Sequence, residues 1–296
     1  MKNKNTLINI AIAFFAIIAI VSGGVLVYNY VVAPEKGESI AKEYKEIYSE
    51  EETKKEKNPE NKWDKLLKKN SDIVGWIKID DTKYIDYPIL QTKNNEEYYL
   101  HRDLNKDYNY NGSIFASANS NLSKGESLSN VTVIYGHNMK TDKMFGQLTD
   151  YKNLDFLKSH NTIHFDTQNE DADWTIIGVC NVSTNFNNNN FYPYASNLSK
   201  GEFDEFLYQI RTRSYFTSNV DVGYNDNVLV LSTCDYEFDG ERLIIVAVKN
   251  TDNNNNVVYD TNKVVLKPVE YYTKKGITMP SSYKIQANYA EVYQNN

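Results

Sequence analysis

Cysteine is nearly absent from this chain of 296 residues: there are two, Cys180 and Cys234, too few for the disulfide framework on which small exported domains rely. Glycine (13) and proline (6) are also scarce, which excludes collagen-like and Pro/Gly-rich low-complexity architectures. Basic stripes are missing too. Asp and Glu number 39 against 32 Lys and Arg, for a net charge of −7, and Lys54-Lys55-Glu56-Lys57 and Lys68-Lys69 read as solvated helix faces, so nucleic acid is not an expected partner. Neither a Gly-rich phosphate loop nor a dinucleotide fingerprint occurs, and no organic cofactor is implied. Among the 4 histidines, His160 and His164 have no third ligand near them, and Ile163 and Phe165 suit a strand as well as a helix, so no metal centre is implied. His101 and His160 read as surface residues.

Charge is wholly missing between Lys4 and Glu35, and residues 7–32 are mostly apolar, enough to cross a hydrocarbon core of about 30 Å. Lys2 and Lys4 precede this span, so the positive-inside bias predicts a cytoplasmic N-terminus with the rest of the chain outside, a single-pass cell-membrane protein. A cleaved signal peptide is the alternative, although its apolar region is ordinarily shorter, about 7 to 15 residues. Residues 33–62 are charge-rich, and Ile40, Tyr44, Ile47 and Tyr48 lie at spacings that predict an amphipathic helix, either a stalk or a helix packed on the domain.

From Trp63 onward, short strand-like runs alternate with Asn, Asp, Ser and Gly clusters, which predicts a mostly β domain built as a closed barrel. One helix interrupts it: Ser199 suits an N-cap, Glu202 follows three residues on, and Phe203, Phe206, Leu207 and Ile210 fall on one face. The run Phe186-Asn187-Asn188-Asn189-Asn190-Phe191 reads equally as a substrate-groove wall or a solvated connector. Cys180 ends the strand-like run that starts at Trp174 and reads as a buried structural thiol, with a Cys180 to Cys234 disulfide as the sharper alternative.

The chemistry gathers in Leu231-Ser232-Thr233-Cys234-Asp235-Tyr236 and, eight positions past the cysteine, Arg242. Residues 227–231 and 243–248 read as the strands of an antiparallel hairpin, so Cys234 closes one strand and Arg242 opens the next as cross-strand neighbours. His137 follows a third strand-like run in Ile134-Tyr135-Gly136-His137-Asn138-Met139, and Gly136 allows the turn that brings an imidazole over the same edge. A thiol attacks as its anion, which a nearby imidazolium and guanidinium both favour.

These residues resemble the sortases of Gram-positive bacteria, class B most closely, from roughly Trp63 to Asn250. Within that stretch Asp72-Ile73-Val74-Gly75-Trp76-Ile77, Ile85-Asp86-Tyr87-Pro88-Ile89 and Gly112-Ser113-Ile114-Phe115 are similar to the opening strands of the family barrel, and the Ser199 helix fits the long connection before its cysteine strand. Val230 departs from the usual Thr-Leu-x-Thr-Cys, a change expected to alter packing more than chemistry. The resemblance implies a sortase-type β-barrel with N-terminal helices after one transmembrane helix. It also implies a cysteine transpeptidase with catalytic His137, Cys234 and Arg242, and by analogy Ser232, Thr233 and Asp235 at the substrate site, unless strand-end packing claims them. The implied partners are secreted proteins bearing a C-terminal sorting motif, a peptidoglycan precursor amine and the membrane. The alternatives are a membrane-anchored extracellular cysteine peptidase and a pilin-polymerising sortase. The expected organisation is a cytoplasmic N-terminus (1–6), transmembrane anchor (7–32), charged helical stalk (33–62), catalytic domain (63–250) and a C-terminal extension (251–296) on which the resemblance is silent.

Overall fold

The computed structural model describes residues 2–53, 62–185, 191–193, 197–250, 256–262 and 264–280, with side chains for all of these but 2–4 and 50–53. The groove-wall run at 186–190 and the lysine run at 54–57 lie outside the described residues. The chain opens with α1 (Lys2–Val27), which passes through one π-helical turn (Tyr28–Val32) into α2 (Ala33–Thr53). The apolar side chains of α1 are exposed, and the helix is long and apolar enough to cross a bilayer. α2 differs because its apolar positions have a partner: Ile40, Tyr44 and Tyr48 are buried, and Tyr48 stacks on Trp76 with ring centroids 4.2 Å apart. α3 (Lys62–Lys69) buries Trp63 and Leu66 beside it.

Eight strands then close a barrel: β1 (Ile73–Lys78), β2 (Asp86–Leu90), β3 (Phe115–Ala116), β4 (Val131–Tyr135), β5 (Thr162–Thr167), β6 (Asp173–Ser183), β8 (Val228–Cys234) and β9 (Glu241–Lys249). Their order around the barrel is β1-β2-β3-β4-β8-β9-β6-β5, as the mostly β pattern predicted. The pairs β2/β3 and β4/β8 are parallel and the others antiparallel. Closure removes the exposed edges that an open sheet would present. A short helix, α4 (Leu154–Ser159), capped by the Asn153 side chain, leads into β5. A short strand, β7 (Phe216–Ser218), pairs outside the barrel with β10 (Tyr259–Thr261) from the C-terminal extension.

Alternation along β8 explains its unbroken apolar run. Leu229 and Leu231 point into the core that holds Trp76, Phe165 and Trp174. Val228 and Val230 point outward, under the Phe203, Phe206, Leu207 and Ile210 face of α5 (Lys200–Arg213). A strand covered on both faces has no polar side to show. Val230, the departure from the family run, therefore packs under α5 and away from the barrel interior. Ser199 and Glu202 form the reciprocal capping box expected of them.

β6 runs three residues past Cys180, where the apolar run in the sequence ends, because Asn181, Val182 and Ser183 pair with Leu243, Arg242 and Glu241. Cys180 is fully buried, and both cysteines are free thiols. Gly178 sits at the β6 bulge, where a Cβ would lie 2.6 Å from the Ile210 side chain, so α5 rests directly on backbone. Gly178→Ala is expected to destabilise the fold by about 1–3 kcal/mol through overpacking. Urea unfolding of the variant beside the parent checks this, and an unchanged midpoint would contradict it.

Candidate active site

β8 and its two neighbours assemble the site at one end of the barrel. In the antiparallel pair β8/β9, Cys234 stands opposite Arg242. In the parallel pair β4/β8, Tyr135 stands beside Ser232, and Gly136 N–H continues the ladder to the Ser232 carbonyl at 3.2 Å. Two more bonds tie the histidine turn to the cysteine strand: Thr233 Oγ1 donates to the Gly136 carbonyl (2.8 Å), and Asn138 Nδ2 to the Cys234 carbonyl (2.8 Å). His137, between those anchored neighbours, is thereby held level with Cys234. Gly136 is required by close approach, since a Cβ there would meet the Phe145 ring at 2.7 Å.

The histidine ring has a defined tautomer. Its Nε2 lies 2.9 Å from the Leu100 carbonyl, and a carbonyl only accepts, so Nε2 carries the hydrogen and Nδ1 is the atom left to gain and lose a proton. His101 stacks on His137 with centroids 5.9 Å apart, and Tyr110 stacks on His101 at 5.7 Å. Burial holds the His137 pKa below the ordinary histidine value; the Leu100 carbonyl opposes this, while the charges of His101 and Arg242 push it further down. Arg242 donates Nη1 to the Glu241 carbonyl at 2.9 Å, and no other hydrogen bond joins its guanidinium to the described residues, which leaves most of its five N–H donors available.

A polar network behind the site grips the residues flanking the Cys/Arg pair. Asn181 Nδ2 donates to Asp235 Oδ2 and to Glu241 Oε1, both at 2.7 Å, and so joins the residue after the cysteine to the residue before the arginine. The Asn181 side-chain Oδ1 accepts from Lys267 Nζ at 3.3 Å and from the Tyr215 hydroxyl. Lys267 sits 3.6 Å from the Tyr215 ring centroid. Burial lowers the Lys267 ammonium to about 8, the charge of Lys152 acting in the same direction. Burial alone would raise the Asp235 carboxyl, but hydrogen bonds from Lys152 and Asn181 outweigh it and leave Asp235 below its usual value. Glu241 is raised by burial and by the charge of Asp235. Lys267 belongs to the C-terminal extension, whose helix α6 (Val269–Lys275) also reaches the β8/β9 loop: Lys275 pairs with Glu237 at 2.8 Å, and Lys274 donates to the Glu237 carbonyl.

The remaining sequence candidates divide by role. Thr233 is buried, and its hydroxyl holds the Gly136 carbonyl, the strand-end packing role. Ser232 is buried and shares a hydrogen bond with Tyr192 (3.0 Å), a residue close enough to Cys234 and Arg242 to feel both charges. Asp235 faces Asn181 and Lys152. His101 is exposed as expected, but its ring is part of the site, which the sequence did not reveal; His160 is half-buried and stacks on Phe156 at 4.0 Å. Cys180 lies inside the fold, where burial pushes its thiol up to about 12, against any nucleophilic use.

A thiol facing a guanidinium, with an imidazole tied to the same strand, can carry nucleophilic acyl transfer. Comparison with known proteins agrees: residues 77–250 match the sortase domain model. Sortase B of Listeria monocytogenes is 39% identical over 178 residues, covering 60% of this chain and 68% of that protein. The Staphylococcus aureus sortase B–substrate complex superposes with a TM-score of 0.66 at 26% identity, covering 75% of this chain and 100% of that one. A crystal structure of sortase B complexed with triglycine gives 0.65 at 26% identity, covering 74% and 100%. The chain belongs to the sortase family.

Two outcomes follow. In His101→Ala both the stack and the neighbouring charge are gone, so the His137 pKa is expected to rise toward the ordinary value; an NMR titration of the ring checks this, and no change or a fall would contradict it. Lys267→Met loosens, through Asn181, the grip on Asp235 and Glu241 and is expected to slow acylation of Cys234 by a bound peptide about tenfold, a sub-ångström misplacement effect. Lys267→Arg should restore the rate, and parent-like acylation in Lys267→Met would contradict the role of the network.

Proposed function

We propose that this sortase is a membrane-anchored cysteine transpeptidase in which Cys234, His137 and Arg242 perform the chemistry. The observation that carries the reading is the pairing of Cys234 with Arg242 while the adjacent parallel strand holds His137 at the same level. In the first half-reaction the Cys234 thiolate attacks the carbonyl carbon of the scissile peptide bond in a sorting motif. Arg242 stabilises the oxygen that gains charge, through charge-assisted hydrogen bonds. The C–N bond then breaks, the departing amine takes a proton from His137 Nδ1, and a thioacyl enzyme remains.

In the second half-reaction an incoming amine attacks the thioester carbonyl, His137 Nδ1 accepts its proton, and the thiolate is released as the new amide forms. The substrate is a secreted protein with a C-terminal sorting motif, and the amine belongs to a peptidoglycan precursor, so the product is a surface protein attached to the cell wall. Solved sortase B complexes with a substrate and with triglycine support both halves of this assignment. Of the residues expected at the substrate site, Ser232, joined to Tyr192, is the one placed to shape the binding of the motif, whereas Thr233 and Asp235 are held by the Gly136 carbonyl and by Asn181 and Lys152. Lys2 and Lys4 support a cytoplasmic N-terminus with the barrel outside. The organisation proposed for the chain is 1–6, 7–32, 33–62, 63–250 and 251–296; within the last segment β10 pairs with β7 and α6 reaches the β8/β9 loop.

The test is intact mass of the full chain in detergent after incubation with a library of Asn-Pro-x-Thr and Ser-Pro-x-Thr peptides. A thioacyl adduct is expected in the parent, absent in Cys234→Ala and strongly reduced in His137→Ala. Arg242→Lys keeps the charge and loses the planar fork, and a loss close to that of Arg242→Ala is expected. Adduct formation in Cys234→Ala, or full activity in His137→Ala, would overturn the assignment.

A further inference from the structure

The barrel is already in contact with the apolar helix where that helix leaves the bilayer. At 1.5 Å per residue a hydrocarbon core of about 30 Å takes up only about 20 residues of the span 7–32, so its last turn, Tyr28–Val32, lies at the outer end of the core. Tyr28, Asn29 and Tyr30 therefore fall at headgroup level. Asn111 Nδ2 donates to the Asn29 carbonyl (3.3 Å), and Asn109 Nδ2 to the Ala33 carbonyl (3.2 Å). Lys36, on the following turn, pairs with Asp107 at 3.2 Å. Ala33, Asn109 and Asn111 are all buried in this junction, so the segment between β2 and β3 is fastened to the helix at the membrane boundary rather than carried away on a free stalk.

That same segment is one wall of the active site. Its Leu100 carbonyl orients His137, its His101 ring lies on His137, and its Tyr110 lies on His101. Its outer surface exposes Tyr108 (63%) and Tyr110 (46%). On the other side of the site Tyr236 is 68% exposed, with its hydroxyl on the Asn138 carbonyl and its ring close enough to Tyr110 and Cys234 to feel their charges. Large aromatics left in water are unfavourable, whereas a tyrosine at the headgroup level buries its ring and keeps its hydroxyl wet. Tyr28 and Tyr30, exposed on the helix at that level, belong to the same belt.

We propose that Tyr108, Tyr110 and Tyr236 form a lipid-seating rim, which rests on the leaflet from which α2 emerges and opens the Cys234 site at headgroup depth. The occupant is the headgroup layer of the bilayer that α1 spans, because the rim is continuous with residues bonded to the helix at that level. A site seated there meets the lipid-linked amine of the proposed precursor at its own depth, whereas a dissolved amine gains nothing from the seat. The proposal rests on the reading of α1 as a membrane span and on the acyl-transfer reading of the site.

The test uses the full-length chain reconstituted in phosphatidylcholine–phosphatidylglycerol vesicles containing lipids brominated near the headgroup. Tyr108→Trp reports the rim. Tyr224→Trp is the control, since Tyr224 precedes the start of β8 and Cys234 lies at the opposite end of that strand. The native Trp63, Trp76 and Trp174 are buried and give both variants the same background. Severalfold stronger bromine quenching at 108 than at 224 is expected. Equal quenching would overturn the proposal, and this arm needs no turnover, so it reads independently of the acyl-transfer reading. In the functional arm, Tyr108→Ser is expected to slow transfer to a glycine peptide coupled to phosphatidylethanolamine severalfold more than transfer to soluble triglycine, any loss common to both reporting the contact of the Tyr108 ring with His101 (6.5 Å). Equal effects on the two amines would contradict a lipid seat and favour a protein partner or a purely local role for the tyrosine.

Discussion

The register of β8 against its two neighbours is the constraint on which the site depends. Cys234 meets Arg242 only because β8 and β9 pair in antiparallel register, and His137 reaches the same level only because β4 runs parallel to β8. A slip of one residue in either pairing would turn one of the three side chains to the wrong face. The fold makes such a slip costly. Leu229 and Leu231 are locked in the barrel interior, and Val228 and Val230 under α5, so β8 has no free face that could tolerate a shift.

The polar groups around the site follow from that constraint. Three groups of opposing charge preference are crowded at one barrel end, and the chain steadies them from behind through Asn181, which bridges Asp235 and Glu241 and is itself held by Lys267 and Tyr215. Buried polar groups of this kind are tolerable only when partnered. Here the partners come from β6, from the β8/β9 loop and from the C-terminal extension, so a segment beyond the family-matched region contributes to the architecture of the centre. The wall of residues 98–112 does the corresponding work on the histidine side and joins the site to the turn that follows the long apolar helix α1.

How much of this was legible in the sequence depended on how local each signal was. The Cys234/Arg242 hairpin could be read because its strands are close along the chain and apolar on both faces, and the Ser199 cap because a capping box occupies four consecutive residues. His137 was identified through its flanking residues, but its placement depends on a parallel pairing across a long connection, which composition does not encode. β6 looked three residues too short because Asn181 and Ser183 interrupt its apolar run, and the interruption is itself the functional network. Lys267 lies in the extension on which the sequence is silent, and His101 is exposed as its sequence suggests, but nothing in Leu100-His101-Arg102 announces that its ring stacks on His137.

Transpeptidation differs from proteolysis in the fate of the thioacyl enzyme. The measurement is the ratio of amide product to hydrolysed product from a single sorting peptide as the concentration of added amine is raised, at fixed enzyme and pH. The amide is expected to grow at the expense of hydrolysis until transfer dominates, with both products lost in Cys234→Ala. Hydrolysis that stays constant however much amine is present would contradict it and identify the chain as a cysteine peptidase built on a sortase barrel.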